Sequence, residues 1–93
     1  MAESYTVTIK LVSNDRPCHA GHEVGQEWKY DNQLPAGMCS SAWYAIFPYV
    51  LVMANGGAFP WQEDPDVNYI SCPDHLVRNT FELRRTPRET PRP

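Results

Sequence analysis

The spacing of the hydrophobic residues changes along this chain from a period of two to the period of a helix and back. Apolar and polar side chains alternate over residues 5–12, 24–30, 67–71 and 79–85, a pattern typical of strands buried on one face. Between these segments, residues 40–55 carry apolar side chains at the three- and four-residue spacing of a helix. The order β-β-α-β-β predicts a single α+β domain, with an antiparallel sheet of about four strands and the helix packed on one face.

The central helix has recognisable ends and one interruption. Ser40 or Ser41 is a suitable N-cap, because a serine hydroxyl accepts a hydrogen bond from a free N–H of the first turn. The Asn-Gly-Gly run at residues 55–57 ends the helix, since glycine readily adopts the left-handed conformation found after helix C-termini. Pro48 lies inside the pattern and predicts either a kinked helix or a second helix that starts there.

The same periods predict the hydrophobic core. We expect the following apolar residues to be largely buried: Ile9, Leu11, Trp28, Trp43, Ile46, Phe47, Val50, Leu51, Phe81 and Leu83. Replacing Phe47 by alanine is accordingly expected to cost about 3–5 kcal/mol of stability.

A chain of 93 residues has room for one small domain. We assign this domain to residues 1–85 and a flexible tail to residues 86–93, which contain only Thr, Pro, Arg and Glu. A domain of this size buries only about 60% of its unfolded surface, so a metal, a disulfide or a partner is expected to add stability.

Charge and hydropathy indicate the compartment and exclude some partners. The net charge of −3 argues against a nucleic-acid-binding protein, which usually carries a basic surface. Arg84 and Arg85 are adjacent on a predicted strand and therefore point to opposite faces, which weakens any basic patch. The N-terminus has no secretory signal pattern, and the longest apolar stretch is too short to cross a membrane. We expect a soluble, cytoplasmic protein with no nucleic-acid and no membrane partner.

The residues with the clearest chemical potential are three cysteines and one histidine. Cys18, His22, Cys39 and Cys72 all lie in predicted loops or at element ends. An odd number of widely spaced cysteines is a poor disulfide framework, so we expect free thiols. Loops that meet at one end of the sheet would form a Cys3His set, which suits zinc, with iron as the lesser alternative. The leading hypothesis is a small metal-binding accessory protein. The alternative is that the cysteines are buried and have only a structural role.

The same residues support a second hypothesis, a small enzyme or enzyme subunit that uses a cysteine thiol between helix and sheet. Cys39 directly precedes the predicted helix, where free amides and the helix dipole lower the pKa of a thiol. His22 would act as the base, and Asp74 would orient a histidine. Acidification would release a bound metal, whereas the alkylation rate of a catalytic thiol would rise through a lowered pKa.

The loop that follows the helix carries a third hypothesis, a metal-free partner-binding module. Phe59 and Trp61 offer aromatic surface after two glycines, and aromatic residues are common at interfaces. The alternative is that the glycines cap the helix and the rings close the core. The expected partner of the protein is a larger enzyme or a second copy of the chain.

Several short motifs resemble the landmarks of a known family. They read C-H-A-G-H-E-V-G at residues 18–25, G-M-C-S-S-A at 37–42, G-G-A-F-P-W at 56–61, C-P-D at 72–74 and F-E-L-R-R at 81–85. They are similar to a family of small, uncharacterised prokaryotic proteins with the pattern C-P-x-G-H-x-V-G-D, G-L-C-x-x-A, G-G-x-F-P-W, C-P-D and F-E-L-R. The resemblance spans most of the chain and implies no particular activity.

The resemblance bears on individual residues of the candidate site. It implies that the four metal-ligand candidates belong to the shared pattern, whereas His19 and His75 are specific to this chain. The chain departs from the pattern at His19, where the family has proline, and at Gln26, where it has aspartate. The second departure removes the acidic group from that position.

Overall fold

The computed structural model describes residues 5–18, 20–31, 33–73 and 76–88. Strands β1 (Tyr5–Ser13) and β2 (Glu27–Tyr30) come first, followed by helix α1 (Ser40–Ala54) and strands β3 (Val67–Ser71) and β4 (Thr80–Pro87). The α+β class and the predicted element order are confirmed. Within these residues, no helix combines the length and apolar character that a membrane crossing requires.

The strands form one antiparallel sheet in the order β2-β1-β4-β3. The first and last strands are therefore the central pair, with Tyr5 opposite Pro87 and Ile9 opposite Leu83. The register between them shifts after Leu11, as at a β-bulge, and β1 ends at Ser13. Past this point the chain enters the loop that carries Cys18.

The core lies between one face of the sheet and α1. Alternation places every second residue of the central strands toward the helix, and these side chains are fully buried: Val7, Ile9, Leu11, Phe81 and Leu83. The helix contributes Ala42, Ile46, Val50, Met53 and Ala54, which recur at helical spacing. The fold is thus held by a two-layer contact between sheet and helix.

Three predicted core residues differ from the expectation. Trp43 and Phe47 are half-buried and pack on each other at the core's margin, with ring centroids 5.0 Å apart. The prediction for Leu51 is wrong, because its side chain is 40% exposed. At 100° per residue, Leu51 points about 180° away from Ala42 around the helix axis, toward solvent.

Strand β2 begins later than the predicted residue 24. Gly25 has a φ of 98°, and the Gln26 N–H donates to the Glu23 carbonyl at 3.0 Å, so these residues form a turn. Val24 is exposed instead of sharing the buried face of Trp28. Turn geometry at the glycine therefore overrides the alternating pattern.

Helix α1 is continuous through Pro48, so the split-helix alternative is wrong. A proline removes the N–H that would bond the carbonyl four residues earlier, here that of Tyr44. Tyr44 is 85% exposed, and water on that side of the helix can hydrate its carbonyl. The N-cap is Cys39 instead of Ser40 or Ser41.

The C-terminal end of α1 is closed by its glycines, as predicted. Gly56 has a φ of 89°, the Gly56 N–H donates to the Met53 carbonyl at 3.2 Å, and the Gly57 N–H donates to the Val52 carbonyl at 2.9 Å. This pair of bonds is a Schellman motif. A Cβ atom on Gly57 would lie 2.6 Å from Val52 Cγ1, so the second glycine also allows a close approach.

Arg85 ties the sheet to this end of the helix. Its side chain is buried, its Nε donates to Asp66 Oδ1 at 2.9 Å, and its Nη1 donates to the carbonyls of Met53 at 3.2 Å and Gly57 at 2.7 Å. The neighbouring Arg84 is exposed, which confirms that the two arginines point to opposite faces.

Strand β4 extends two residues beyond its predicted end, through Thr86 and Pro87. These residues pair with the start of β1, which corrects the predicted tail at its first two positions. Residues 89–93 of that tail lie outside the described part of the chain.

Candidate thiol site

Three loops meet at a cavity of about 400 Å³ beside the N-terminal end of α1. Cys18 comes from the loop after β1, Cys39 precedes the helix, and Cys72 follows β3; all three line this cavity. The remaining lining residues are Ala20, Ser41, Ala42, Pro73, Val77 and Asn79. The structure therefore brings together the three cysteines that the sequence singled out, and each is a half-buried free thiol.

The Cys18 sulfur lies among hydrogen-bond donors. The Asn79 side chain and the backbone of residues 20–22 lie close enough to lower the pKa of this thiol by hydrogen bonding. Gly21 has a φ of 83°, and its N–H donates to the Cys18 carbonyl at 2.9 Å. The backbone therefore makes a turn directly after Cys18. Backbone amides gathered in this way favour an anion at their centre.

The donors change the acidity of Cys18. Partial burial raises the pKa of the thiol, but the hydrogen bonds from Asn79 and residues 20–22 outweigh that effect, and the net pKa lies below its ordinary value. The thiolate is the nucleophilic form of cysteine, so Cys18 is the thiol that this environment activates.

Asn79 connects two of the cysteines. It is only 3% exposed, its side chain bonds to the Cys18 sulfur, and its backbone carbonyl accepts a hydrogen bond from the Cys72 N–H at 2.9 Å. Its Oδ1 has no hydrogen-bond partner among the described residues, although it is buried. Sequence reasoning missed this role, because an asparagine before a strand is an ordinary turn residue.

His22 connects Cys18 to the helix. Its Nε2 accepts a hydrogen bond from the Cys39 N–H at 2.9 Å, so the imidazole satisfies a free donor at the N-cap of α1. The ring is buried and packs edge-on against Trp28, with centroids 4.8 Å apart. An Nε2 that accepts from a backbone amide carries no proton, and its lone pair is not directed at a thiol.

The structure does not assemble the predicted metal-ligand set. Within residues 5–18, 20–31, 33–73 and 76–88, no three His, Cys, Asp or Glu side chains are arranged to hold one metal ion. The hydrogen bond at Nε2 also engages one of the two ring nitrogens that His22 would offer. His19, Asp74 and His75 lie outside the described residues.

The predicted aromatic loop lies beside the C-terminal half of α1. Phe59 and Trp61 are stacked with centroids 4.7 Å apart, and Phe59 also contacts Tyr49 at 5.2 Å. Trp61 is 59% exposed, while its indole N–H donates to Asn68 Oδ1 at 3.1 Å. The loop therefore combines the two expected roles, because it covers part of the helix and leaves one ring open to solvent.

The chain matches no family sequence model, no curated protein and no solved structure. The resemblance drawn from its motifs therefore stays an expectation.

Proposed function

We propose that the protein is a small enzyme or enzyme subunit that uses Cys18 as a nucleophile in the three-cysteine cavity between helix and sheet. The observation that carries this proposal is that three cysteines line one cavity and that hydrogen-bond donors in Asn79 and residues 20–22 lower the pKa of one of them, Cys18. These donors belong to a backbone turn and a buried side chain, so they are in place before any substrate binds. Preorganised donors stabilise a thiolate without the cost of rearrangement.

Cys18 replaces Cys39 as the proposed nucleophile. The sequence favoured Cys39 because of its place before the helix, with His22 as the base. In the structure, the Cys39 N–H is bonded to His22 Nε2, whereas residues 20–22 direct their N–H groups to Cys18. His22 is then a positioning residue that fixes the Cys18 loop against the helix.

Competitive alkylation tests the proposal. The reduced protein is treated with less than one equivalent of iodoacetamide at neutral pH, and the modified cysteine is identified by peptide mass mapping. We expect the label on Cys18, and we expect Cys18→Ser to slow the first alkylation while Cys39→Ser and Cys72→Ser do not. Preferential labelling of Cys39 or Cys72 in the folded wild-type protein would refute the assignment.

Zinc binding by the same cysteines is the second candidate function, because all three line one cavity. Three thiolates and His22 would complete a tetrahedral shell only if His22 or the cysteine loops moved. Zinc at about 100 times its Kd would then stabilise the protein by about 2.7 kcal/mol. Thermal melts of wild type and Cys39→Ser with and without zinc test this; an unchanged wild-type melting temperature rejects zinc.

A further inference from the structure

We propose that the electrophile attacked by Cys18 is a sulfur atom of a disulfide, and that Cys72 is the thiol that resolves the mixed disulfide formed. This inference rests on the proposed role of Cys18 as nucleophile and adds the class of substrate and the second participating residue. The cavity, the side chains that line it and the position of Asn79 support it.

The composition of the cavity wall favours sulfur over carbon chemistry. Among the described residues, no histidine, aspartate or glutamate lines the cavity. Acyl transfer needs an acid to protonate the leaving group and donors to hold the oxyanion. Here the N–H groups of residues 20–22 are directed at the attacking sulfur itself. A thiolate leaving group needs no proton to depart, so a disulfide suits the described part of this cavity wall.

The sheet register selects Cys72 as the resolving thiol. The pairing of Ser71 with Thr80 continues by one step, because the Cys72 N–H donates to the Asn79 carbonyl. Directly opposite residues of antiparallel strands project to the same face, with Cβ atoms about 4.5–5.5 Å apart. Cys72 therefore lies beside the Asn79 side chain, which in turn bonds to the Cys18 sulfur.

The side-chain oxygen of Asn79, which has no hydrogen-bond partner among the described residues, suggests how the Cys72 thiol is oriented. A buried acceptor without a partner costs stability, so its presence at the cavity calls for a group that approaches it. The thiol of the neighbouring Cys72 is a donor of the right kind. Asn79 would thus hold Cys18 through its amide N–H and orient the second thiol through Oδ1.

The reaction balances as a two-electron exchange. The Cys18 thiolate attacks one sulfur of the substrate R–S–S–R′; the Cys18–S–S–R bond forms, the substrate S–S bond breaks, and R′–S⁻ leaves with its electron pair. Cys72 then loses its proton to solvent and attacks the Cys18 sulfur, which forms a Cys18–Cys72 disulfide and releases R–S⁻. The substrate disulfide is reduced to two thiols, which take up two protons, and the protein dithiol is oxidised.

Mixed-disulfide trapping tests the inference with glutathione disulfide as the probe. Fully reduced protein is mixed with the probe, quenched in acid and analysed by mass spectrometry with peptide mapping. Wild type should lose two hydrogen atoms and contain a Cys18–Cys72 disulfide. Cys72→Ser should stop at one glutathionyl group on Cys18, Cys39→Ser should behave as wild type, and Cys18→Ser should show neither product. Circular dichroism melts show that each serine variant is folded.

The outcomes separate this inference from the proposed function. Accumulation of the adduct in Cys39→Ser, with a disulfide still formed in Cys72→Ser, would overturn the choice of Cys72. Selective alkylation of Cys18 without any reaction with glutathione disulfide would overturn the sulfur substrate and leave the nucleophile intact. Alkylation that does not select Cys18 would remove the basis of both.

Discussion

At the scale of single residues, Asn79 controls how readily Cys18 ionises. The hydrogen bond from its side chain lowers the pKa of Cys18, so more thiolate is present near neutral pH than for a free cysteine. The alkylation rate of Cys18 should rise with pH through a midpoint below that of an unperturbed thiol, because the rate follows the thiolate fraction.

Removing the Asn79 side chain should move that midpoint upward and slow alkylation at pH 7. Asn68→Ala is the matched control, since Asn68 is equally buried but lies at the aromatic loop. The rate-against-pH curves of both variants are compared with wild type. A midpoint that does not change in Asn79→Ala would show that its hydrogen bond does not tune the thiol.

The grouping of the cysteines was predictable from the sequence, whereas the surroundings of each sulfur were not. Cys18, Cys39 and Cys72 were identified as one group from their residue type and loop positions, and they share one cavity. Their environment was not predictable, because it depends on which backbone N–H groups face a sulfur after the loop has folded. The bond from the Cys39 N–H to His22 joins residues 17 apart, and no local pattern encodes it.

At the scale of elements, the glycine after α1 carries a specific conformational demand. Gly56 has a φ of 89°, which costs a residue with a Cβ atom about 1–2 kcal/mol. Gly56→Ala should therefore lower the free energy of unfolding by about that amount, while Gly56→Asn should lose less, because asparagine tolerates this conformation. Urea denaturation of the three proteins measures the difference; equal losses would argue against backbone strain.

The elements themselves were largely predictable, for reasons that particular residues illustrate. Alternation located β1 and β4 because each buries one face, and helical spacing located α1 despite Pro48. The failures have tertiary causes. Leu51 fits the apolar spacing of the helix but points away from the sheet, and Val24 fits the alternation of β2 although Gly25 forms a turn there.

At the scale of the whole molecule, Arg85 joins the sheet, the helix end and the loop before β3. Arg85→Ala removes hydrogen bonds from a charged donor to three acceptors, each of a kind worth about 1.5–3 kcal/mol. We expect a loss of stability of at least that size. Arg84→Ala is the neighbouring control and should change stability by less than about 0.5 kcal/mol, as an exposed position does. Similar losses of stability for the two variants in chemical denaturation would contradict this role of Arg85.

The core should respond most strongly at its centre. Phe81 is fully buried on β4, whereas Phe47 is half-buried at the margin. Phe81→Ala should cost about 3–5 kcal/mol, a large part of the stability of a small domain. Phe47→Ala should cost less than the value expected from the sequence alone. Thermal and urea unfolding measure the loss of stability in both variants. A larger loss in Phe47→Ala than in Phe81→Ala would contradict a core centred on the sheet.

The central pairing of β1 with β4 affects the order in which the sheet can form during translation. Tyr5 lies opposite Pro87, so the inner edge of β1 stays without its partner until nearly all of this segment has been translated. Contacts between such distant positions form slowly, because a long loop must close before they contribute. Asn79 emerges just ahead of β4 and after all three cysteines. The part of the Cys18 pKa lowering that Asn79 contributes is therefore added late in synthesis, whereas the part from residues 20–22 needs only the local turn.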